Sequence, residues 1–254
     1  MRGGVHRVQA GIGSWWRGRF GRRLLVEFLL LFSLLTLYRL GRYLGRNQVD
    51  VAFAHARDIL DWERAIGIDT ERELQLAFLD DLSVIKALNR YYAMVHFPAT
   101  VAFIAFFYAR AADLYPRIRN VFISVTGVAL VMQILYPLAP PRMLSGYVDT
   151  IARYGPAIYS RPGVESVANQ YAAMPSLHVG WALIIAYGMW KVTQRPWRWI
   201  GVIHAIVTGF AVVVTANHYW LDGVVALVLV AVAVRVLAPR HEPSVAPVGA
   251  AVPT

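Results

Sequence analysis

The sequence predicts an all-α fold: a polytopic membrane bundle of six transmembrane helices with an additional amphipathic surface helix. Two observations predict it. First, 57% of the 254 residues are hydrophobic and only 16% are charged, whereas soluble domains carry about 25% charged residues. Second, apolar runs recur along the whole chain, and several approach the ~17–25 residues that a helix needs to cross a bilayer. Lipid solvates such apolar faces, so a membrane accommodates this composition.

The first predicted helix follows a basic segment, residues 1–23, which contains six arginines and no acidic residue. The apolar run Leu24–Leu40 comes next. No small-residue cleavage site follows this run, so we predict an uncleaved transmembrane helix rather than a signal peptide. Basic segments stay on the cytoplasmic side of a membrane, and we therefore expect residues 1–23 in the cytoplasm.

The segment from Gln48 to Lys86 is mixed in character and predicts the amphipathic helix. Ile59, Trp62 and Ile66 recur in it at helical spacing, with charged residues between them. One interpretation is a helix lying on the membrane surface. The other is a helix that packs its apolar face on the protein's own helices.

Five further apolar runs predict the remaining spans. The run from Leu177 is short, so we expect that span to begin within Ala172–Ser176. Residues 24–238 then form one membrane domain, and the Pro- and Ala-rich tail, residues 239–254, is predicted to be disordered. The runs are Tyr91–Ala109, Asn120–Leu138, Leu177–Trp190, Trp199–Ala216 and Tyr219–Leu237.

Charge and cysteine content exclude several classes of site. The chain has no cysteine, which excludes disulfides, thiolate catalysis and cysteine-ligated zinc or iron–sulfur centres. The formal charge is +10. Because the basic residues flank apolar runs, they suit lipid headgroups, and we expect the bilayer rather than nucleic acid as the partner.

The loops predict the topology. Residues 110–119 and 191–198 are rich in arginine and lysine, which favours the cytoplasmic side. With six spans, both termini are then cytoplasmic, and residues 41–90, 139–176 and 217–220 lie outside. We therefore predict a multi-pass protein of the plasma membrane.

Three polar clusters fall on this predicted outer face. They are the stretches YPLAPPR at 136–142, AMPSLH at 173–178 and NHYWLD at 217–222. Ionisable groups at membrane depth are costly, so they are candidates for function. Because the clusters flank different spans at the same end, we expect them to lie close together.

The third cluster contains a histidine and an acid on one helix face. His218 and Asp222 are four residues apart, so they are neighbours on a helix. A carboxylate there can hold one imidazole nitrogen as N–H and leave the other as a nucleophile. The alternative is a helix-start histidine whose hydrogen bond the acid merely satisfies.

The other two clusters contain phosphate-binding groups. Pro175 favours a helix start, which puts Ser176 and His178 in a first turn, where free N–H groups suit a phosphate. His178 can protonate a leaving oxygen there. Arg142 can bind phosphate oxygens through two N–H groups, although an interfacial arginine that reaches lipid headgroups is the alternative.

Together the stretches YPLAPPR, AAMPSLH and NHYWLD resemble the type 2 phosphatidic acid phosphatase superfamily. More narrowly, they resemble its inositolphosphotransferase branch, which is related to the inositol phosphorylceramide synthases. The resemblance covers residues 91–237. It implies a metal-independent enzyme without a cofactor, in which His218 is the nucleophile and forms a phosphohistidine. It further implies that Asp222 orients His218, that His178 is general acid and then base, and that Arg142 and Ser176 bind the phosphoryl oxygens.

The chain departs from the superfamily pattern in two places. Pro-Pro-Arg142 stands where a lysine-through-arginine-proline motif usually lies, and Ala211-Val212 occupies the positions of a Ser-Arg pair before the histidine. One arginine that would clamp phosphate is therefore absent. The residues that we expect to support the site are Asn217, Tyr171 and Arg161, with Arg153 and Gln170 as further candidates.

The leading hypothesis is a phosphotransferase that moves a phosphoryl or phosphoalcohol group, with phosphoinositol as one candidate. The donor would be a phospholipid or polyprenyl phosphate, and residues 24–238 would be the catalytic domain. One alternative is a lipid or polyprenyl (pyro)phosphate phosphatase. Another is a non-catalytic lipid-binding protein or transporter. Zinc binding by His178, His218 and Asp222 is a further alternative, and homo-oligomerisation is left open.

Two other histidines lie within predicted spans. His96 precedes Pro98, and a proline kink frees carbonyl groups that a histidine can satisfy. His204 is expected near the inner end of its helix, away from the site. We expect structural roles for both.

Overall fold

The computed structural model describes residues 19–44, 48–156, 170–193 and 196–237. Most residues in these ranges are helical, and the isolated bridge between Leu138 and Ala172 is the one β-type pairing within them. The all-α prediction is therefore confirmed for them. Residues 1–18, the whole predicted tail (residues 239–254) and Arg161 lie outside the described part.

Residues 1–40 and 41–254 form separate compact units. In the first, the described residues belong to α1, which runs over Arg19–Leu44. The predicted first helix therefore forms, and it begins within the basic segment rather than after it. Its crossing of a membrane stays a prediction.

The amphipathic segment forms two helices, α2 (Val49–Ile66) and α3 (Glu71–Leu79). Trp62 and Ile66 are exposed, although the spacing predicted them on the same face as Ile59. The helix instead packs a narrower stripe against the protein, which agrees with the second interpretation of this segment. The buried stripe consists of Ala52, Ala56, Ile59 and Glu63.

The second predicted span is longer than its apolar run. Helix α4 covers Leu82–Arg110 and contains a π-helical turn at Tyr91–Val95. Asp81 caps its start by accepting the N–H groups of residues 83 and 84. The π turn lies just before Pro98, which has no N–H to continue the regular pattern of bonds.

Helix α5 runs over Tyr115–Leu135. It begins earlier than predicted because Pro116 suits a first helical turn, and it ends before Tyr136. Helices α4 and α5 are both long and apolar enough to cross a membrane. They are the two helices of the described residues that meet this requirement, so the presence of six spans stays a prediction.

The remaining helices are shorter. The single turn α6 covers Thr150–Tyr154. The apolar helices that follow are α7 (Leu177–Val192), α8 (Arg198–Val214) and α9 (Trp220–Val236). Helix α7 starts at Leu177, so the expectation that it begins within Ala172–Ser176 is wrong.

One hydrophobic core joins α4, α5, α7 and α9. Helices α7 and α8 also pack closely, because a Cβ added to Gly201 would lie 2.9 Å from the Cα of Ala186. The packing brings together the end of α5, the start of α7, the end of α8 and the start of α9. The buried residues of this core are Phe107, Ile118, Val121, Val125, Ile184, Ile185, Met189, Val192 and Val230.

Candidate active site

Backbone hydrogen bonds join the three polar clusters at one end of the helices. The Leu138 N–H donates to the Tyr171 carbonyl at 2.8 Å, and the Arg142 N–H donates to the Ala216 carbonyl at 2.8 Å. The Ser176 N–H donates to the carbonyl of Asp222 at 3.2 Å. The predicted convergence is therefore confirmed.

His218 is held by two hydrogen-bond acceptors. Its Nδ1 lies 2.8 Å from the carbonyl oxygen of Ala173 and 3.1 Å from Oδ2 of Asp222. Since both neighbours accept, Nδ1 carries the proton. Nε2 then keeps its lone pair, which is the form that a nucleophilic histidine requires.

Burial lowers the pKa of His218 to about 4. The hydrogen bond to the Ala173 carbonyl opposes this shift, and the positive charge of Arg142 adds to it. The imidazole is therefore neutral at pH 7. A neutral imidazole can attack an electrophile, whereas a protonated one cannot.

Asp222 is fixed by the start of α9. It is fully buried, and its Oδ2 accepts the N–H of Tyr219 at 3.0 Å as well as the imidazole proton. The Tyr219 hydroxyl in turn donates to the Ala139 carbonyl at 2.8 Å. The acid and the turn before it are therefore attached to the first cluster.

Ser176 caps the start of α7. Its Oγ accepts the N–H of Val179 at 3.3 Å, as an N-cap side chain does. His178 consequently lies in the first helical turn, as predicted. The hydroxyl hydrogen of Ser176 is not used by this cap and can donate to a ligand.

His178 lies beside His218, with ring centroids 5.9 Å apart. The His178 ring also stacks on Tyr92, with centroids 4.3 Å apart and planes 23° from parallel. Tyr92 is a site residue that the sequence did not single out. It lies in the π turn of α4, and an apolar run with a tyrosine gives no sign of such a contact.

Two further histidine rings continue from His178. The His96 ring lies 4.8 Å from His178 and 5.4 Å from His204, measured between centroids. Neither nitrogen of His96 has a hydrogen-bond partner among the described residues, so the expectation that it satisfies carbonyl groups is wrong. His204 bonds to the Tyr91 hydroxyl at 2.6 Å. Only the His96 ring separates it from His178, so it lies closer to the site than expected.

Arg142 is anchored next to the His218 turn. Its Nη1 donates to Oδ1 of Asn217 at 2.8 Å, and its Nε lies 3.4 Å from Oδ2 of Asp149. Asn217, predicted as a supporting residue, therefore positions this guanidinium. The pairing with Asp149 reduces the net positive charge at this position.

The other predicted supporting residues contribute differently. Tyr171 is half-buried and lies edge-on to Phe53, with ring centroids 6.5 Å apart. Its carbonyl accepts the N–H of Leu138 in the first cluster. The Arg153 guanidinium lies over the ring of Tyr154, its neighbour on α6. At the position of the absent arginine, buried Val212 supports the turn, because its carbonyl accepts the N–H groups of residues 217 and 218.

Two buried acids that the sequence did not predict lie next to the site. Oε1 of Glu71 accepts the N–H of Trp220 at 2.9 Å, and Oε1 of Glu63 accepts the N–H of Leu221 at 2.8 Å. Both glutamates are fully buried. Their partners lie 149 and 158 residues away in sequence, so no local spacing indicates the contact.

The described residues contain no group of three or more His, Asp or Glu side chains arranged to hold a metal ion.

An apolar groove of about 220 Å³ lies between α7, α8 and α9. Val179 and Tyr219, which directly follow the two site histidines, both line it.

A family model described as the PAP2 superfamily matches residues 57–236. The match covers more than half of the chain and includes all three polar clusters. No curated protein and no solved structure matches the chain. The match supports the superfamily rather than any one branch of it.

Proposed function

Because the chain belongs to the PAP2 superfamily, we propose that it is a membrane phosphotransferase that moves a phosphoryl or phosphoalcohol group from a lipid donor through His218. The superfamily supports phosphatase or phosphotransferase activity on lipid-like substrates. The observation that carries the proposal is the His218 ring. Its Nδ1 faces two acceptors, and its centroid lies 5.9 Å from that of His178.

In the first step, Nε2 of His218 attacks phosphorus and the bond to the leaving oxygen breaks. His178 gives its proton to that oxygen, and the phosphoryl group stays on His218. In the second step, His178 takes a proton from the acceptor hydroxyl, whose oxygen attacks phosphorus. The P–N bond breaks, and both histidines return to their starting forms.

Asp222 orients the nucleophile and stabilises the charge that develops on its ring. Arg142 and the N-terminus of α7 stabilise the charge on the phosphoryl oxygens. The Ser176 hydroxyl adds one more donor to these oxygens.

The charge of the site favours a phosphodiester substrate and hence a transferase. Buried Val212 stands where the superfamily pattern has a clamping arginine, and the Nε of Arg142 is already paired with Asp149. A phosphomonoester dianion requires more positive charge than a phosphodiester monoanion. Phosphoinositol carried by a lipid is therefore a suitable group, as is another phosphoalcohol headgroup.

The surroundings of the site suit a lipid. The groove beside it is apolar, and Tyr219 and Trp220 form part of its lining. We assign it to the hydrocarbon tail of the donor. The reacting groups would then lie at headgroup depth on the outer face of the plasma membrane, with both termini in the cytoplasm.

Product analysis by mass spectrometry tests the proposal. Purified wild-type protein and His218→Ala are given phosphatidylinositol, a phosphatidate and a lipid alcohol in the presence of a chelator. His55→Gln is the matched control, because His55 is a half-buried histidine that bonds to a backbone carbonyl at 2.8 Å. We expect a phosphoinositol-bearing lipid from the wild type and the control, and at least about 10⁴-fold less from His218→Ala.

Other products have distinct meanings. Free phosphate as the sole product makes the protein a lipid phosphatase. An active and folded His218→Ala protein contradicts the mechanism. An absence of turnover on all donors favours a non-catalytic lipid-binding protein.

A further inference from the structure

The start of α9 is held by side chains from distant helices. The first N–H groups of a helix have no partner within it, and a side chain just before the helix usually accepts one of them. Here Glu71 of α3 accepts the N–H of Trp220, and Glu63 of α2 accepts the N–H of Leu221. Asp222 itself accepts the N–H of Tyr219.

The two glutamates are adjacent as well as buried. Burial and a hydrogen bond with the Glu71 carboxyl group raise the pKa of Glu63 to about 9. Two buried carboxylates in contact cannot both be ionised at neutral pH. At pH 7 the raised pKa keeps Glu63 protonated, and its carboxyl group can donate this proton to Glu71.

Among the described residues, the titratable groups that interact with the pair are acids and tyrosines. Glu71 comes from α3, Asp222 and Tyr219 come from the start of α9, and Tyr147 comes from the loop before α6. The pKa of Tyr147 is raised by burial and by the two glutamates, with Arg72 opposing the shift. A second negative charge on the pair would therefore act on Asp222, which already interacts electrostatically with Glu63.

We propose that Glu63 and Glu71 are positioning residues of the active site, which share one proton and hold the start of α9 so that Asp222 meets His218. The proposal rests on the proposed function for its catalytic readout and extends it to the second layer of the site. One shared proton leaves one negative charge, which suits the positive end of a helix. Loss of that proton adds a charge that repels Asp222 and displaces the turn.

The activity test uses substitutions at Glu63. Glu63→Gln keeps the geometry of a protonated carboxyl group, because its Oε1 accepts the Leu221 N–H and its amide donates to Glu71. We expect kcat within about threefold of wild type at pH 7. Wild-type activity should fall as pH rises through about 9, whereas Glu63→Gln should lack this alkaline decrease. Glu63→Leu should lower kcat by about tenfold or more, with KM little changed.

The matched control is Glu73→Gln, since Glu73 lies on the same helix as Glu71 and is exposed. It should keep both the wild-type kcat and the alkaline decrease. The positioning role is wrong if Glu63→Gln retains the wild-type alkaline decrease. It is also wrong if Glu63→Leu changes the melting temperature but leaves kcat of the folded fraction unaltered.

A second measurement does not depend on turnover, so it separates failure of this inference from failure of the proposed function. The Nδ1–H proton of His218, assigned by its absence in His218→Ala, is followed by NMR against pH. We expect its signal to change near pH 9 in wild type, to stay constant in Glu63→Gln and to be displaced in Glu63→Leu at pH 7. An identical signal in all three proteins overturns the proposal even if no substrate is turned over.

Discussion

Helices α7 and α9 each start next to a histidine of the site, but their starts are stabilised differently. Helix α7 is capped locally, by Ser176 directly before its first residue. Helix α9 has a local bond from the Tyr219 N–H to Asp222, and it is held in addition by Glu63 and Glu71, whose partners are more than a hundred residues away. The cap of the helix that carries the candidate acid is therefore local, whereas the helix beside the candidate nucleophile also requires two distant helices to satisfy its first N–H groups.

The difference fits the two roles. His218 is fixed by hydrogen bonds to Ala173 and Asp222, and a nucleophile gains from such fixed alignment with its target. The described contacts of His178 are ring contacts with Tyr92, His96 and His218. Ring contacts leave an acid–base group able to exchange a proton with both the leaving and the attacking oxygen.

The largest expected effect comes from breaking the α9 start at Asp222. Both hydrogen bonds go to Oδ2 of Asp222, so Asp222→Asn can keep them through its amide oxygen, but it removes the negative charge that stabilises the imidazole when it becomes a cation. We expect kcat to fall on the order of 10³-fold, as when a triad acid becomes an amide. Phosphotransfer by the purified protein measures this, with exposed Asp80→Asn as the control. A decrease of less than about tenfold would mean that the negative charge of Asp222 contributes little to the reaction.

The same contrast explains which parts of the site the sequence predicted. The helix start near Ser176 and the His218–Asp222 pair are both local features, so helix geometry was sufficient to predict them, although Ser176 is the N-cap rather than a residue of the first turn. Glu63 was missed because its partner is on another helix, and Tyr92 was missed because stacking leaves no pattern along the chain. Arg142 and Asn217 were both named, although their mutual hydrogen bond followed only from the fold.

The fold was predicted to a similar extent. Apolar runs located the helices, because membrane and core helices share this signal. Their ends differed where polar residues continued the helix, as in α4, which begins at Leu82 instead of Tyr91. In α2 the buried stripe was missed, since small alanines pack closely without contributing to an apolar pattern, while Trp62 remains exposed.

A smaller effect is expected at the α7 start. Ser176→Ala removes both the cap and a hydroxyl donor, so we expect about 1 kcal/mol of lost stability and about tenfold lower kcat. Ser176→Gly separates the two roles, because glycine is nearly as good an N-cap but has no hydroxyl group. The melting temperature of Ser176→Gly should be close to that of wild type, and its kcat should be as low as that of Ser176→Ala. A fully active Ser176→Gly protein would show that the hydroxyl acts as a cap alone.

The smallest expected effect concerns a third distant attachment of α9. The Trp220 Nε1–H donates to the Thr70 hydroxyl at 3.0 Å, and Thr70 makes no side-chain cap bond to its own helix. A double-mutant cycle of Trp220→Phe and Thr70→Val therefore isolates this bond, and chemical unfolding in detergent should give a coupling of about 0.5–1 kcal/mol. Because the bond is exposed, its loss in Thr70→Val, which leaves the groove lining unchanged, should leave kcat within about twofold of wild type. Zero coupling would assign the distant support of α9 to the two glutamates alone, whereas a large loss of kcat would add Trp220 to the residues that position Asp222.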